Sequence, residues 1–143
     1  GSQTALDYRP LFSEPQRLYC GRDHALFTRA RIDPAELQRC DGVLHPYRFI
    51  AADEPWQAGA SSARSEQVEG SLAFILSGAH IGYLPEHFAA PWVASGALRC
   101  IDLPELDYYP AFTLTRLRYG TPAQATRLLE EAILAEHVAA AGD

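Results

Sequence analysis

The apolar positions that follow residue 65 have the spacing of an α-helix. They fall at i, i+4, i+7 and i+8 and are Val68, Leu72, Ile75 and Leu76. Residues at this spacing share one face of a helix, which can then pack on a core. Gly78 stands just beyond them, where a glycine in the left-handed conformation commonly ends a helix. The pattern therefore predicts a helix that begins near Ser65 and ends before Gly78.

Short β-prone runs and helix starts alternate along the rest of the chain. The predicted strands are residues 16–20, 43–50 (interrupted by Pro46), 81–84, 97–103 and 111–117. Helices are predicted to begin at Pro34, Pro85 and Pro122, because proline suits the first helical turn. Mixed strands and helices with short connections predict an α/β sheet covered on both faces. Such folds bind ligands beyond the ends of their strands.

Length and composition are those of a folded protein. A chain of 143 residues suits a single domain, or one domain and a fragment. Its hydrophobic share of 48% and charged share of 21% are close to globular averages. No window approaches 18 consecutive apolar residues and the N-terminus lacks the features of a signal peptide, so we expect a cytoplasmic protein without a membrane segment. Residues 1–2 are interpreted as a remnant of expression.

Charge and motifs exclude several classes of function. The net charge is −6 and the twelve basic residues, all arginine, are scattered, which argues against nucleic-acid binding by this piece. The chain has no Gly-x-Ser-x-Gly, His-Glu-x-x-His or phosphate-loop motif, so we expect no enzyme. His24, His80 and His87 lack the spacing of metal ligands, and we expect neither a metal nor a cofactor.

Three segments, in this order and spacing, resemble the effector domain of LysR-type transcriptional regulators. Residues 12–27 contain a strand and then a His-Ala-Leu turn, in which Ala25 stands where the family usually has proline. Residues 76–88 match the family's helix-end, Gly, Gly-Ile and Leu-Pro pattern, and residues 94–101 resemble its Gly-x-Leu strand. Together with a later strand near 112–114 and a final helix, the resemblance covers roughly residues 10 to 135.

The resemblance implies a periplasmic-binding-protein-like (type 2) α/β fold. In that family two subdomains are joined by two crossing strands, and the inducer binds in the cleft between them. The expected boundaries are 3–20 for the end of the first subdomain and the first crossing strand, 21–108 for the second subdomain, and 109–143 for the return strand and C-terminal helix of the first. Most of the first subdomain and the preceding winged helix-turn-helix would be missing from this sequence. Apolar surface left exposed in this way is expected to drive self-association.

The resemblance places one candidate site at the loop before the Ser65 helix and at its first turn. Unpaired N–H groups at a helix start suit a carboxylate or another anion. Arg64 offers a bidentate contact to such a group, and Ser62 and Ser65 offer hydroxyl hydrogen bonds. The competing interpretation is that Ser65 only caps the helix and Arg64 is solvated.

His45 and Tyr47 form a second candidate group. They lie just past a predicted strand end, where a cleft would open, and offer one titratable group and one aromatic wall. The competing interpretation is a loop histidine and a packing tyrosine.

The implied function is that of a regulatory sensor. We expect a small-molecule inducer, a small organic anion by preference, a homo-oligomer, and contact with promoter DNA only through the winged helix-turn-helix. One alternative is a solute-binding protein of a transporter, which would require export. Another is a redox sensor, since one peroxide-sensing branch of the family works through cysteines and Cys20 stands at the apparent hinge. Because Cys20, Cys40 and Cys100 form no CxxC pair, we expect reduced thiols, and we expect Cys20 to be buried in the core.

Overall fold

The computed structural model describes residues 5–44, 55–118 and 120–140. Its strands are β1 (Leu6–Ser13), β2 (Gln16–Gly21), β3 (Asp41–Leu44), β4 (Ala60–Arg64), β5 (Ile81–Pro85), β6 (Leu98–Cys100) and β7 (Ala111–Leu117). Its helices are α1 (Pro34–Leu37), α2 (Val68–Leu76), α3 (Glu86–Ala94) and α4 (Gln124–Ala140), with a 3-10 turn at Pro104–Leu106. The chain divides into a central unit, Pro15–Pro110, and a terminal unit, Gly1–Glu14 with Ala111–Asp143.

The central unit is built on a mixed sheet. Within the described residues the strand order is β4-β3-β5-β2-β6. Strand β3 is parallel to β4 and β5, whereas β2 is antiparallel to β5 and β6. Successive side chains of β2 point to opposite faces of the sheet and enter two different hydrophobic cores. Leu18 and Cys20 belong to one core, and Tyr19 belongs to the other. Helices α2 and α3 contribute to the Tyr19 core and α1 to the Leu18 core, so both faces are covered, as the sequence predicted.

The helix predicted from Ser65 begins later than expected. Its N-cap is Gln67, in the extended conformation, and α2 starts at Val68. Its end is as predicted, because Gly78 has a φ of +77°, which a residue with a Cβ rarely adopts. The short helix α1 also follows prediction, since Asp33 and Glu36 form a complete capping box at its start.

Strand β4 was missed by the sequence analysis, which assigned residues 60–64 to a loop. Its sequence, Ala-Ser-Ser-Ala-Arg, is small and polar and has no alternating apolar pattern. It forms a strand because it pairs with β3 along one edge of the sheet. The predicted strand 97–103 is reduced to Leu98–Cys100, and of 43–50 only the part up to Leu44 falls within the described residues.

The terminal unit consists of β1, β7 and α4. The two strands are antiparallel, and α4 contacts them through the stacked rings of Phe12 and His137 and an ion pair between Arg116 and Glu130. Strand β2, which the sequence analysis grouped with the segment 3–20, lies in the central unit because it pairs there with β5 and β6. None of the helices in the described ranges is long and apolar enough to cross a membrane.

Candidate functional site

The carboxyl ends of β3 and β4 meet at the start of α2. Leu44 and Arg64 are paired at the last position of the two strands, and the Ser65 N–H donates to the Leu44 carbonyl at 3.2 Å. The chain then turns into α2, whose first N–H groups have no acceptor within the helix. Arg64 is exposed at this edge. We call the group of Arg64, Ser65 and the first turn of α2 the strand-end site.

Ser65 is held against the helix without capping it. Its hydroxyl donates to the carbonyl of Gln67 at 2.7 Å and accepts from the Gln67 N–H at 3.2 Å. The N-cap residue Gln67 makes no side-chain capping bond, so the interpretation of Ser65 as the helix cap is wrong. A Cβ at Gly70 would overlap with the Ser65 hydroxyl, so the Ser65 side chain lies on the first turn of α2.

Ser62 belongs to a different group of polar side chains. Its N–H donates to Asp41 Oδ1 at 2.8 Å, and its hydroxyl donates to Asp41 Oδ2 and lies 2.9 Å from His80 Nε2. Asp41 begins β3 and His80 directly precedes β5, so this Asp41–Ser62–His80 cluster lies at the amino-terminal ends of those strands. The structure thus brings Arg64 and Ser65 together and engages Ser62 elsewhere.

The cluster favours a charged Asp41. The hydroxyl of Ser62, and then its N–H, lower the pKa of the Asp41 carboxyl by donating to the carboxylate. The sequence analysis considered His80 only as a metal ligand, which it excluded, and did not single out Asp41. Nothing in the local pattern marks them, because they meet Ser62 only through the pairing of β3 with β4 and β5.

The Asp41–Ser62–His80 cluster does not have the geometry of a catalytic triad. In a triad the acid binds one ring nitrogen of the histidine and the serine the other. Here His80 Nε2 faces both Ser62 and Asp41, the latter at 3.8 Å. His80 Nδ1 is buried and has no hydrogen-bond partner in the part of the chain that the structure describes. The arrangement therefore gives Ser62 no general base held in the proper orientation.

Two of the predicted site residues are not described by the structure, and His24 has a structural environment. His45 and Tyr47 lie outside the described residues, so their role stays a prediction. His24 Nδ1 accepts the Leu26 N–H at 3.1 Å, and burial lowers the pKa of the His24 imidazole. Among residues 5–44, 55–118 and 120–140, no three His, Cys, Asp or Glu side chains are placed to share a metal ion.

The cysteines have the environment of structural thiols. Cys20 is completely buried in the sheet, and this burial raises the pKa of its thiol to about 11. Burial also raises the pKa of Cys40 and of Cys100. The thiolate is the form that reacts with oxidants, so little of it is present at neutral pH. This environment does not favour a redox switch at Cys20.

An open surface cleft of about 670 Å³ was not anticipated from the sequence. It is lined by Arg29, Arg31, Ile32, Asp33, Pro34, Glu36, Leu103 and Glu105. Glu36 is paired with other groups of the lining. An Arg29 nitrogen lies 3.3 Å from Glu36 Oε1, and Glu36 Oε2 accepts a hydrogen bond from the backbone N–H of Asp33 at 3.2 Å. This network stabilises the start of α1, and we assign the cleft no ligand.

Comparison of the sequence with known proteins places it among regulators. It matches the family described as LysR substrate binding domain over residues 1–137. It is 46% identical over 115 residues to the HTH-type transcriptional activator BauR of Pseudomonas aeruginosa. That match covers 78% of this chain, and the chain spans only 37% of the length of this curated relative.

Solved structures of similar fold are regulatory domains. The effector domain of AmpR from Pseudomonas aeruginosa has a TM-score of 0.72 at 18% identity. The match covers 99% of this chain and 70% of the AmpR chain. The regulatory domain of CcmR from Synechocystis PCC6803, in complex with 2-PG, has a TM-score of 0.74 at 16% identity. The match covers 96% of this chain and 69% of the CcmR chain. The effector binding domain of QuiR in complex with shikimate has a TM-score of 0.73 at 12% identity. The match covers 95% of this chain and 67% of the QuiR chain.

At these identities the structures establish the fold, and the family match establishes the relationship. The predicted periplasmic-binding-protein-like α/β fold is confirmed by the likeness to LysR effector domains. The family is one of regulatory domains and not of enzymes, as the sequence analysis expected. The chain belongs to the LysR substrate binding domain family, the effector-binding part of LysR-type transcriptional regulators.

Proposed function

We propose that this chain senses a small organic anion at the strand-end site and thereby controls transcription by a LysR-type regulator. The observation that carries the proposal is the meeting of an exposed arginine, Arg64, with the first turn of α2 at the carboxyl ends of two parallel strands. In open α/β sheets this edge is where ligands bind. A helix start and a guanidinium both favour a negatively charged group there.

Each residue of the proposed site has a distinct role. Arg64 binds the anion through two parallel hydrogen bonds, which its planar guanidinium can donate to one carboxylate. Ser65 reaches the same anion if its hydroxyl turns away from Gln67. His45 and Tyr47 complete the site as one titratable group and one aromatic wall. Ser62 makes no direct contact in this proposal, because its hydroxyl is occupied by Asp41 and His80.

Several structures of similar fold were solved with anions, organic in the case of shikimate and inorganic in the case of bromide. QuiR was solved with shikimate, a carboxylate, CcmR with 2-PG, and HypT from Salmonella typhimurium in a form with a bromide ion. The transporter alternative is less favoured, because the curated relative BauR is a transcriptional activator. The redox alternative is less favoured because burial raises the pKa of Cys20.

Replacing Arg64 with alanine is expected to weaken anion binding about 10- to 100-fold, since a hydrogen bond to a charged group contributes about 1.5 to 3 kcal/mol. The probes are acetate, benzoate, shikimate, glycine and inorganic phosphate, screened by thermal shift. A ligand at a hundredfold excess over its Kd stabilises the protein by about 2.7 kcal/mol. Arg39→Ala, which removes another exposed arginine, is the matched control and should bind as the parent does. An equal response from Arg64→Ala and the parent chain would contradict the proposal.

We further propose that the terminal unit and the central unit derive from the first and second subdomains, and that the regulator acts as a cytoplasmic homo-oligomer. Promoter DNA would be bound by a winged helix-turn-helix outside this sequence. The support for self-association is the exposed apolar surface of the terminal unit, where Leu117 and Leu129 are each 61% exposed and Leu128 58%.

Light scattering should therefore give this chain the mass of a dimer or a larger assembly. Changing Leu128 and Leu129 together to serine is expected to shift the mass toward a monomer, because it removes apolar area that association would bury. Tyr109→Ser, at an exposed aromatic residue of the central unit, serves as the control and should leave the mass unchanged. A parent chain that stays monomeric at high concentration would sink this part of the proposal.

A further inference from the structure

Strand β4 contains a bulge directly before the strand-end site. Asp41 of β3 pairs with Ala60, but Val43 pairs with Ala63, so Ser61 and Ser62 together lie opposite the single residue Gly42. A bulge of this kind inserts one extra residue and interrupts the backbone ladder. Polar groups that lose their ladder partners must find others.

Side chains supply the partners that the ladder lacks at this bulge. The Ser62 N–H donates to Asp41 Oδ1 at 2.8 Å instead of to a strand carbonyl. The Ser61 hydroxyl lies within hydrogen-bond distance of the Gly42 carbonyl, at 2.9 Å, and of the Ala63 carbonyl, at 3.1 Å. The Ser62 hydroxyl joins Asp41 to His80, whose ring also packs edge-to-face with that of Phe74, with centroids 5.4 Å apart. The bulge is therefore tied to β3, to the start of β5 and to α2.

The bulge also decides which way Arg64 faces. Beyond it, Ala63 is buried at 4% exposure while Arg64 is exposed. Side chains alternate along a strand, so a slip of one residue would turn Arg64 toward the core and Ala63 toward solvent. An arginine buried without a partner is costly. Holding the extra residue in the bulge thus keeps Arg64 on the outer side of the sheet edge.

We propose that Asp41, Ser62 and His80 act as positioning residues that lock the β4 bulge and so set the register of Arg64 for anion binding. The binding part of this inference rests on the proposed function, whereas the locking of the bulge does not. Ser62 is the central member, because both other side chains reach the bulge through it. Asp41 anchors the backbone N–H, and His80 ties the hydroxyl to the neighbouring strand.

The test compares Ser62→Ala with Ser62→Thr. Alanine removes the hydroxyl, whereas threonine keeps it and suits a strand. Ser95→Ala, which removes another exposed serine hydroxyl of the central unit, controls for general effects. The first readouts need no ligand: amide hydrogen exchange at Ala63 and Arg64 by NMR, and NMR titration of the Asp41 carboxyl.

In Ser62→Ala we expect exchange at Ala63 and Arg64 to become about five- to tenfold faster, as the loss of one hydrogen bond of about 1 kcal/mol implies. The Asp41 pKa should rise toward its usual range, because the main group that lowers it is gone. Affinity for shikimate or phosphate should fall by a similar factor. Ser62→Thr should restore all three quantities to within about twofold of the parent, an effect that simple loss of stability would not produce.

Each outcome separates the inference from the proposed function. Unchanged exchange and an unchanged Asp41 titration in Ser62→Ala would overturn the locking of the bulge, whatever binds at Arg64. Faster exchange with full affinity would overturn the role in binding. If the parent chain binds none of the probes, the proposed function fails, while exchange and titration still decide whether the bulge is locked.

Discussion

Replacing Gly21 with alanine is expected to destabilise the central unit by about 3 kcal/mol, the upper end of the range for overpacking a core. A Cβ at this position would overlap with the carbonyl oxygen of Ile75 and lie 3.3 Å from the Cα of Leu76. Both are backbone atoms of the last two residues of α2, so no rotation of a side chain can make room. Helix α2 would have to move away from β2, and contacts of its buried face, including Ile75, would be lost.

Gly82→Ala is the matched control for Gly21→Ala. A Cβ there would meet the tip of the Ile75 side chain, Cδ1, at 3.2 Å, and a side-chain tip can yield. We expect a cost of about 1 kcal/mol or less, from urea unfolding followed by tryptophan fluorescence. Trp56 and Trp92 both lie in the central unit, so the signal reports on that unit. Equal destabilisation by the two variants would show that backbone approach at Gly21 is not the limiting contact.

Replacing Tyr83 with phenylalanine is expected to destabilise the same unit by about 2 to 4 kcal/mol. The buried hydroxyl of Tyr83 accepts a hydrogen bond from the backbone N–H of Trp56 at 3.1 Å and donates one to the Leu106 carbonyl at 2.8 Å. Removing it leaves two backbone groups to be satisfied elsewhere, and an unsatisfied buried group costs about 1 to 3 kcal/mol. The Tyr83 hydroxyl thus joins the segment before β4 to the turn after β6.

The control is Tyr109→Phe, at a tyrosine that is 58% exposed, where loss of the hydroxyl should change stability by less than about 0.5 kcal/mol. The measurement is again urea unfolding, with hydrogen exchange of the Trp56 amide as a local readout. A Tyr83→Phe protein as stable as the parent would mean that other groups take over both hydrogen bonds.

Much of the architecture was predictable because its signals are local. The capping box at Asp33, the apolar face of α2 and the alternation of β2 are each encoded within a few neighbouring residues. For the candidate site, the sequence indicated some of the neighbours but not all of the contacts. Arg64 and Ser65 were identified as neighbours in the sequence, but Ser62 was grouped with them although its partners are Asp41 and His80.

The sequence by itself determined the family, the α/β sheet covered on both faces and the end of α2 at Gly78. Each of these is specified by residues close together in the chain: the family motifs, the spacing of apolar positions and a glycine that can adopt a positive φ. Only the tertiary structure decided that residues 60–64 form a strand. Their polar sequence acquires that conformation from pairing with the backbone of β3, and a bulge at Ser61 and Ser62 precedes the exposed Arg64. At the bulge, Ser62 hydrogen-bonds to Asp41 and lies within hydrogen-bond distance of His80, which are 21 and 18 residues from it in the chain. Contacts at that separation exist only once the strands have paired, because no local periodicity specifies their register.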